Sequence, residues 1–97
     1  MKEYDYQRLD TVLHSRIRLA IVSVLVGCEK AEFTAVRDMV RATDGNMNTH
    51  LKKLEAAGYV SVEKTFVNRK PTTYYMLTAK GRTALKNYID ILGRFIT

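Results

Sequence analysis

The spacing of the apolar residues changes at Gly58. Before Gly58 apolar residues recur three and four positions apart, which indicates helices. After it Val60 and Val62 alternate with polar neighbours, which indicates a strand. The helical spacing then returns near the end of the chain. Ninety-seven residues suffice for one core but not for two. We therefore predict a single domain over residues 1–97, of the α+β class and mostly α.

Two helices are predicted in the first part of the chain. Apolar residues at helical spacing begin at Leu9 and predict a first helix over residues 9–26. A second, short helix is predicted to begin at Thr34, whose hydroxyl is suited to an N-cap. Phe33 is predicted to belong to a short edge strand just before it.

A third helix is predicted from a cap at Thr43 or Asp44 to about Ala57. Gly58 is expected to end it in the left-handed conformation that glycine adopts most easily. Two short helices joined by a turn over residues 34–57 form the helix-turn-helix layout.

The second half of the chain predicts a hairpin and a last helix. Period-two alternation predicts strands over residues 59–67 and 72–77, joined by a basic turn over 68–71 that contains the one proline. Thr78 is expected to cap a helix over residues 79–96. The apolar surface of this helix is wider than one small core can cover.

The net charge of +6 is concentrated in one part of the sequence. Residues 1–45 carry seven basic and seven acidic side chains, whereas residues 46–86 carry eight basic and two acidic ones. A basic block within a folded domain favours a polyanionic partner, because each neutralised phosphate releases condensed counterions. The alternative is a solvated surface whose charge only maintains solubility.

The predicted third helix has two chemically different sides. Met47, Leu51 and Leu54, with His50 beside them, form the side expected to face the core. The other side carries small and polar residues followed by two lysines. Asparagine can pair with adenine, threonine can contact a thymine methyl group, and lysine can reach guanine or phosphate. This side therefore has the chemistry of a helix that enters the major groove.

Two segments resemble a known family. The segment from Gly45 to Val60 and the junction Leu77-Thr78-x-x-Gly81 are similar to winged-helix transcriptional regulators of the MarR/ArsR type, in particular their short stand-alone members. The resemblance covers about residues 9–92. It implies that the third helix is a recognition helix, that the hairpin is a wing, and that the protein is a homodimer joined through its terminal helices.

Residues can be assigned to these roles. The residues predicted to contact bases are Asn46, Asn48, Thr49 and Lys52. Those predicted to contact phosphates are Lys53 and Arg37. The turn of the hairpin adds Asn68, Arg69 and Lys70 to this predicted DNA-binding set. The predicted dimer interface uses the apolar residues of both ends of the chain, which are Tyr4, Tyr6, Leu9, Leu85, Tyr88, Ile89, Leu92, Phe95 and Ile96.

Other classes of function have little support in the sequence. A single cysteine, Cys28, and two histidines do not form a metal-ligand cluster, and we find no catalytic motif and no cofactor signature. No apolar stretch is long enough to span a membrane, and no signal peptide is present, so we expect a cytoplasmic protein. No small-molecule effector can be identified.

The alternative function is a winged-helix module that docks an acidic protein. We favour DNA because helix and hairpin share the basic charge.

Overall fold

The computed structural model describes residues 4–96, which fold into four helices and a three-stranded sheet. The helices are α1 (Arg16–Val26), α2 (Phe33–Val40), α3 (Asp44–Ala56) and α4 (Ala79–Ile96). The strands are β1 (Ala31–Glu32), β2 (Val60–Val67) and β3 (Lys70–Leu77), and a short 3-10 helix (Tyr6–Arg8) precedes α1. The sheet is antiparallel, in the order β1-β3-β2. The predicted fold, a helix-turn-helix followed by a hairpin and a last helix, is confirmed.

One apolar core joins all four helices to the sheet. Its fully buried side chains come from α1, α2 and α3 and from the segment before α1, and those of the sheet and of α4 complete it. The members are Leu13, Ile21, Val22, Leu25, Val36, Met47, Leu51, Leu54, Val60, Tyr75, Leu85 and Tyr88. Burial of this apolar surface fixes α3 between α1 and the hairpin.

The first helix begins at Arg16, so its predicted start at residue 9 is wrong. The Asp10 carboxylate accepts hydrogen bonds from the backbone N–H groups of Val12 and Leu13, and it thereby holds a turn. Ser15 then caps α1 by accepting from the N–H of Arg18 at 3.3 Å. Leu13 is buried, as the apolar spacing suggested, but it reaches the core from this turn. An Asp side chain competes with the helical pattern of backbone hydrogen bonds, which explains the later start.

The second helix also starts at a different residue. Glu32 occupies the N-cap position without a side-chain hydrogen bond, and Phe33 is the first helical residue. The prediction that Thr34 caps this helix and that Phe33 lies in a strand is therefore wrong. β1 consists of two residues, paired with Tyr74 and Tyr75 of β3. The ring centres of Phe33 and Tyr75 lie 6.3 Å apart, and this contact keeps the start of α2 against the sheet.

The hairpin turn is shorter than predicted. Asn68 and Arg69 form a two-residue turn, and both have positive φ, as a type I′ turn requires. Lys70 and Pro71, predicted to lie in the turn, are the first residues of β3. Pro71 is opposite Phe66 in a position where β1 does not reach β3. Its missing N–H therefore falls on a free edge of the sheet, where proline is tolerated.

The junction between α3, the hairpin and α4 is closed by hydrogen bonds. Gly58 follows α3 with φ of +79°, which confirms its predicted conformation. The Thr78 hydroxyl donates to the Gly58 carbonyl at 2.6 Å and accepts from the Gly81 N–H at 2.9 Å, so Thr78 caps α4 as predicted. These bonds fix the start of α4 relative to the end of α3. None of the helices within residues 4–96 is long and apolar enough to cross a membrane.

Candidate nucleic-acid interface

The solvent side of α3 carries the residues predicted to contact DNA. Thr43 caps the helix by accepting from the Asn46 N–H at 3.2 Å. The core side is confirmed, because its three large apolar residues are buried. The predicted contact residues of this helix are all exposed, and they are Asn46, Asn48, Thr49, Lys52 and Lys53. The helix therefore presents amide, hydroxyl and ammonium groups along one continuous side.

Thr49 lies near the middle of this side. Its hydroxyl donates to the carbonyl of Gly45 at 3.0 Å, one helical turn earlier. A hydroxyl that is bonded in this way uses its own hydrogen within the helix. Contact with a base would then fall mainly to the methyl group of Thr49, in line with the predicted contact to thymine.

One flank of α3 faces the hairpin. Asn48 and Lys52 line an open groove together with Val62 and Lys64 of β2 and Tyr75 of β3. Lys64 belongs to no predicted site, although it falls on the same period-two face as Val62. That periodicity was the signal that would have placed it beside α3. The groove thus adds one cation of the hairpin to the polar side of the helix.

The other flank of α3 faces the beginning of α1. Asn46 and His50 line a shallow surface with Ser15 and Arg16. His50 Nδ1 lies 2.9 Å from a guanidinium nitrogen of Arg18. Burial, and then the nearby positive charges, lower the pKa of His50 below its usual value. Because Arg18 can only donate, Nδ1 accepts, and the neutral imidazole carries its hydrogen on Nε2.

Arg37 is placed differently from its predicted role. Its guanidinium donates to the carboxylate of Asp44 at 2.8 Å and to that of Asp38 at 3.0 Å. Asp44 is the first residue of α3, so the contact ties α2 to the start of that helix. Two carboxylates already neutralise the charge of Arg37. We therefore assign Arg37 to positioning α3 and not to the predicted contact with a phosphate.

The tip of the hairpin is basic and exposed. Asn68, Arg69 and Lys70 all lie in solvent, as the predicted wing contact requires. Arg69 has φ of +67°, a conformation that costs a residue other than glycine about 1–2 kcal/mol. Glycine is the preferred residue at this position of a type I′ turn. An arginine held there despite the cost suggests that its side chain serves a function.

The residues predicted to form a dimer interface fall into two groups. Leu85 and Tyr88 are buried in the core of the single chain, so their assignment to an interface is corrected. The remaining residues stay exposed or half-buried, and they are Tyr4, Tyr6, Leu9, Ile89, Leu92, Phe95 and Ile96. Tyr4 packs edge-on against Phe95 at 6.5 Å, which joins the two ends of the chain in one patch. Sequence spacing could not separate the groups, because both follow the same helical period.

Other candidate chemistry is weak in the described part of the chain. Within residues 4–96 no three His, Cys, Asp or Glu side chains cluster in a way that would hold a metal ion. Cys28 is half-buried, and its thiol faces the carbonyl groups of Val24 and Leu25 at the end of α1. These contacts fit a cysteine that packs at a helix end.

Comparison with known proteins agrees with this geometry. Residues 17–96 match the family model described as a winged helix DNA-binding domain. An uncharacterised protein of Methanocaldococcus jannaschii is 40% identical over 78 residues, which are 80% of this chain and 85% of that protein. A transcriptional regulator homologue of Pyrococcus horikoshii has the same fold with a TM-score of 0.82 and 29% identity, over 88% of this chain and 84% of that one.

A regulator of the MarR family from Silicibacter pomeroyi shares the fold at lower identity. Its TM-score is 0.63 and its identity 16%, over 86% of this chain and 53% of that one. The family match covers most of the chain, including the helix-turn-helix, the hairpin and α4, and it agrees with the polar helix and basic wing described above. The chain belongs to the family of winged helix DNA-binding domains.

Proposed function

We propose that the chain acts in the cytoplasm as a homodimeric regulator that places α3 in the major groove of double-stranded DNA. The observation that carries this proposal is the common surface of helix and wing. Asn48 and Lys52 of α3 and Lys64 of β2 line one groove, and the basic turn lies at the far end of the same hairpin. A major groove about 12 Å wide admits a helix of this diameter.

Within this proposal the residues have separate tasks. Asn46, Asn48, Thr49 and Lys52 contact base edges, whereas Lys53 contacts phosphate. The wing carries Asn68, Arg69 and Lys70 to the flanking backbone or minor groove. Base contacts provide sequence preference, and phosphate contacts provide affinity and orientation.

The apolar residues of α4 support a dimer. No side chain after Tyr88 is fully buried in the described part of α4, although several are large and apolar.

The position of this surface supports a two-fold arrangement. The 3-10 helix and the residues after it form an open groove against α4, and Leu9, Tyr59 and Ile91 are among the residues that line it. A second copy packed along α4 would cover this groove and the apolar patch at the chain ends together. Two recognition helices spaced by about 34 Å would then contact an inverted repeat.

The experiment that tests this function combines site selection with a salt titration. We expect the protein to enrich an inverted repeat from random duplexes. The logarithm of the binding constant should fall steeply and linearly with the logarithm of salt concentration, because phosphate contacts release counterions. Absence of duplex binding at low salt, together with salt-insensitive capture of an acidic protein, would favour the alternative of a protein-docking module.

A further inference from the structure

Phe66 is a large apolar side chain at the tip of the wing, and 72% of its surface is exposed. It lies opposite Pro71 in the hairpin, two positions before the basic turn. Single exposed apolar residues are common, so exposure by itself assigns no role. The face of the sheet on which Phe66 lies carries the inference.

Phe66 is on the same face of the hairpin as α3. Alternate residues of a strand share a face, so Phe66 shares one with Val62 and Lys64. Both of these line the groove that Asn48 of α3 borders. A second stretch of this groove runs from Asn48 past Lys64 to Pro71, the cross-strand partner of Phe66. Phe66 therefore ends the surface that begins at the recognition helix.

The opposite face of the hairpin has different chemistry. There Glu63 accepts a hydrogen bond from the ammonium group of Lys30 at 3.0 Å. The same ammonium lies 4.4 Å from the centre of the Tyr74 ring. These contacts pair the charges of Lys30 and Glu63, whereas Lys70 of the same face is exposed beside the turn. On the face with Phe66, Lys64 forms no ion pair with another of the described residues, so this face combines a free cation with an apolar tip.

We propose that Phe66 enters the minor groove next to the recognition site and packs against sugars and base edges there, while Arg69 contacts the adjoining phosphates. The inference rests on the proposed function, since it requires the wing to lie on DNA. The minor groove is about 6 Å wide, which admits a side chain at the tip of a hairpin but not a helix. Proteins that bind the minor groove contact it with basic and amide side chains and frequently insert an apolar side chain beside them.

The test uses the absence of tryptophan from the sequence. Phe66→Trp introduces the sole indole at the proposed contact. Thr65→Trp is the matched control, because Thr65 is the preceding residue, lies on the other face of β2 and is exposed. With a duplex recovered by site selection, we expect the fluorescence of Phe66→Trp to be strongly quenched and that of Thr65→Trp to change little.

Affinity provides a second measurement. We expect Phe66→Ala to weaken binding of the selected duplex about tenfold without changing the salt slope, because the side chain carries no charge. Thr65→Ala should bind as the wild type does. Equal fluorescence changes at both positions, or unchanged affinity of Phe66→Ala, would overturn the role of Phe66. A wild-type protein that binds no duplex would overturn the proposed function itself.

Discussion

Tyr59 donates its phenolic hydrogen to the carboxylate of Asp10, and this contact joins the segment before α1 to the end of α3. The other oxygen of Asp10 accepts from the backbone of Val12 and Leu13. The backbone carbonyl of Tyr59 accepts from the Thr78 N–H at 3.0 Å. The two residues thus connect the turn before α1, the end of α3 and the start of α4.

This contact predicts a pH dependence of stability. The hydrogen bond to Asp10, with burial and the negative charge of the carboxylate, raises the pKa of Tyr59 to about 12. In the unfolded chain a tyrosine ionises near pH 10. The raised pKa therefore stabilises the fold fully below about pH 10, and this stabilisation is lost as pH rises through about 12.

Tyr59→Phe removes the titrating hydroxyl and tests this dependence. Urea unfolding should show the variant about 1 kcal/mol less stable than wild type at neutral pH. The difference should shrink between about pH 10 and 12, because only the wild type loses the contact there. A difference that stays constant to the highest pH would contradict the role of the Asp10 contact.

Any side chain at Gly81 is predicted to lower the stability of the fold. A Cβ atom added there would lie 2.3 Å from the backbone carbonyl oxygen of Tyr59, which cannot move without disturbing the start of α4. Gly81→Ala should lower the free energy of unfolding by about 1–3 kcal/mol. Gly93→Ala is the control, since a Cβ there meets nothing within 4 Å and should raise stability by roughly 0.5–1 kcal/mol. Thermal or urea unfolding that shows equal effects at both glycines would refute the close packing at Gly81.

Asn48 and Lys53 are expected to affect DNA binding in different ways. Asn48→Ala should cost about 1–3 kcal/mol on the selected site and relax the preference at one base position. Lys53→Ala should weaken binding to all sequences nearly equally. Titrations against the selected duplex and a scrambled duplex measure both effects. An equal loss on the two duplexes for Asn48→Ala would show that Asn48 does not contact bases.

Arg69→Gly should change stability and DNA binding in opposite directions. Glycine adopts the positive φ of this turn position without strain, so the variant should be more stable by about 1 kcal/mol. Loss of one phosphate contact should reduce the magnitude of the log-log salt slope by about 1 per subunit. Lys86→Ala on α4 also removes one positive charge, but it should leave the salt slope unchanged. An unaltered slope for Arg69→Gly would mean that the wing does not contact phosphate.

The proposed dimer can be measured directly. Sedimentation at micromolar concentration should give about twice the chain mass of 11.1 kDa. Ile89→Glu should yield a folded monomer with weakened operator binding, because Ile89 is 56% exposed in the single chain. Ser61→Glu introduces the same charge at an exposed position of β2 and should remain dimeric. A monomeric wild type would refute the interface.

The sequence by itself determined the elements that depend on local signals. The cap at Thr43 or Asp44, the left-handed Gly58 and the change to period two placed α3 and the hairpin close to their observed bounds. Thr78 likewise marked the start of α4. Caps, turns and periodicity act between residues a few positions apart, so their patterns are visible in the sequence.

Only the tertiary structure decided which side chains remain available at the interfaces. Arg37 is neutralised by Asp44, and Leu85 and Tyr88 enter the core of their own chain, although each fitted a surface role by its spacing. Lys64 joins the groove beside α3 because β2 packs there. Such pairings form between distant segments, and a polar or apolar residue type does not specify its partner. Packing of the chain therefore selects which of several chemically suitable residues face the core and which face solvent.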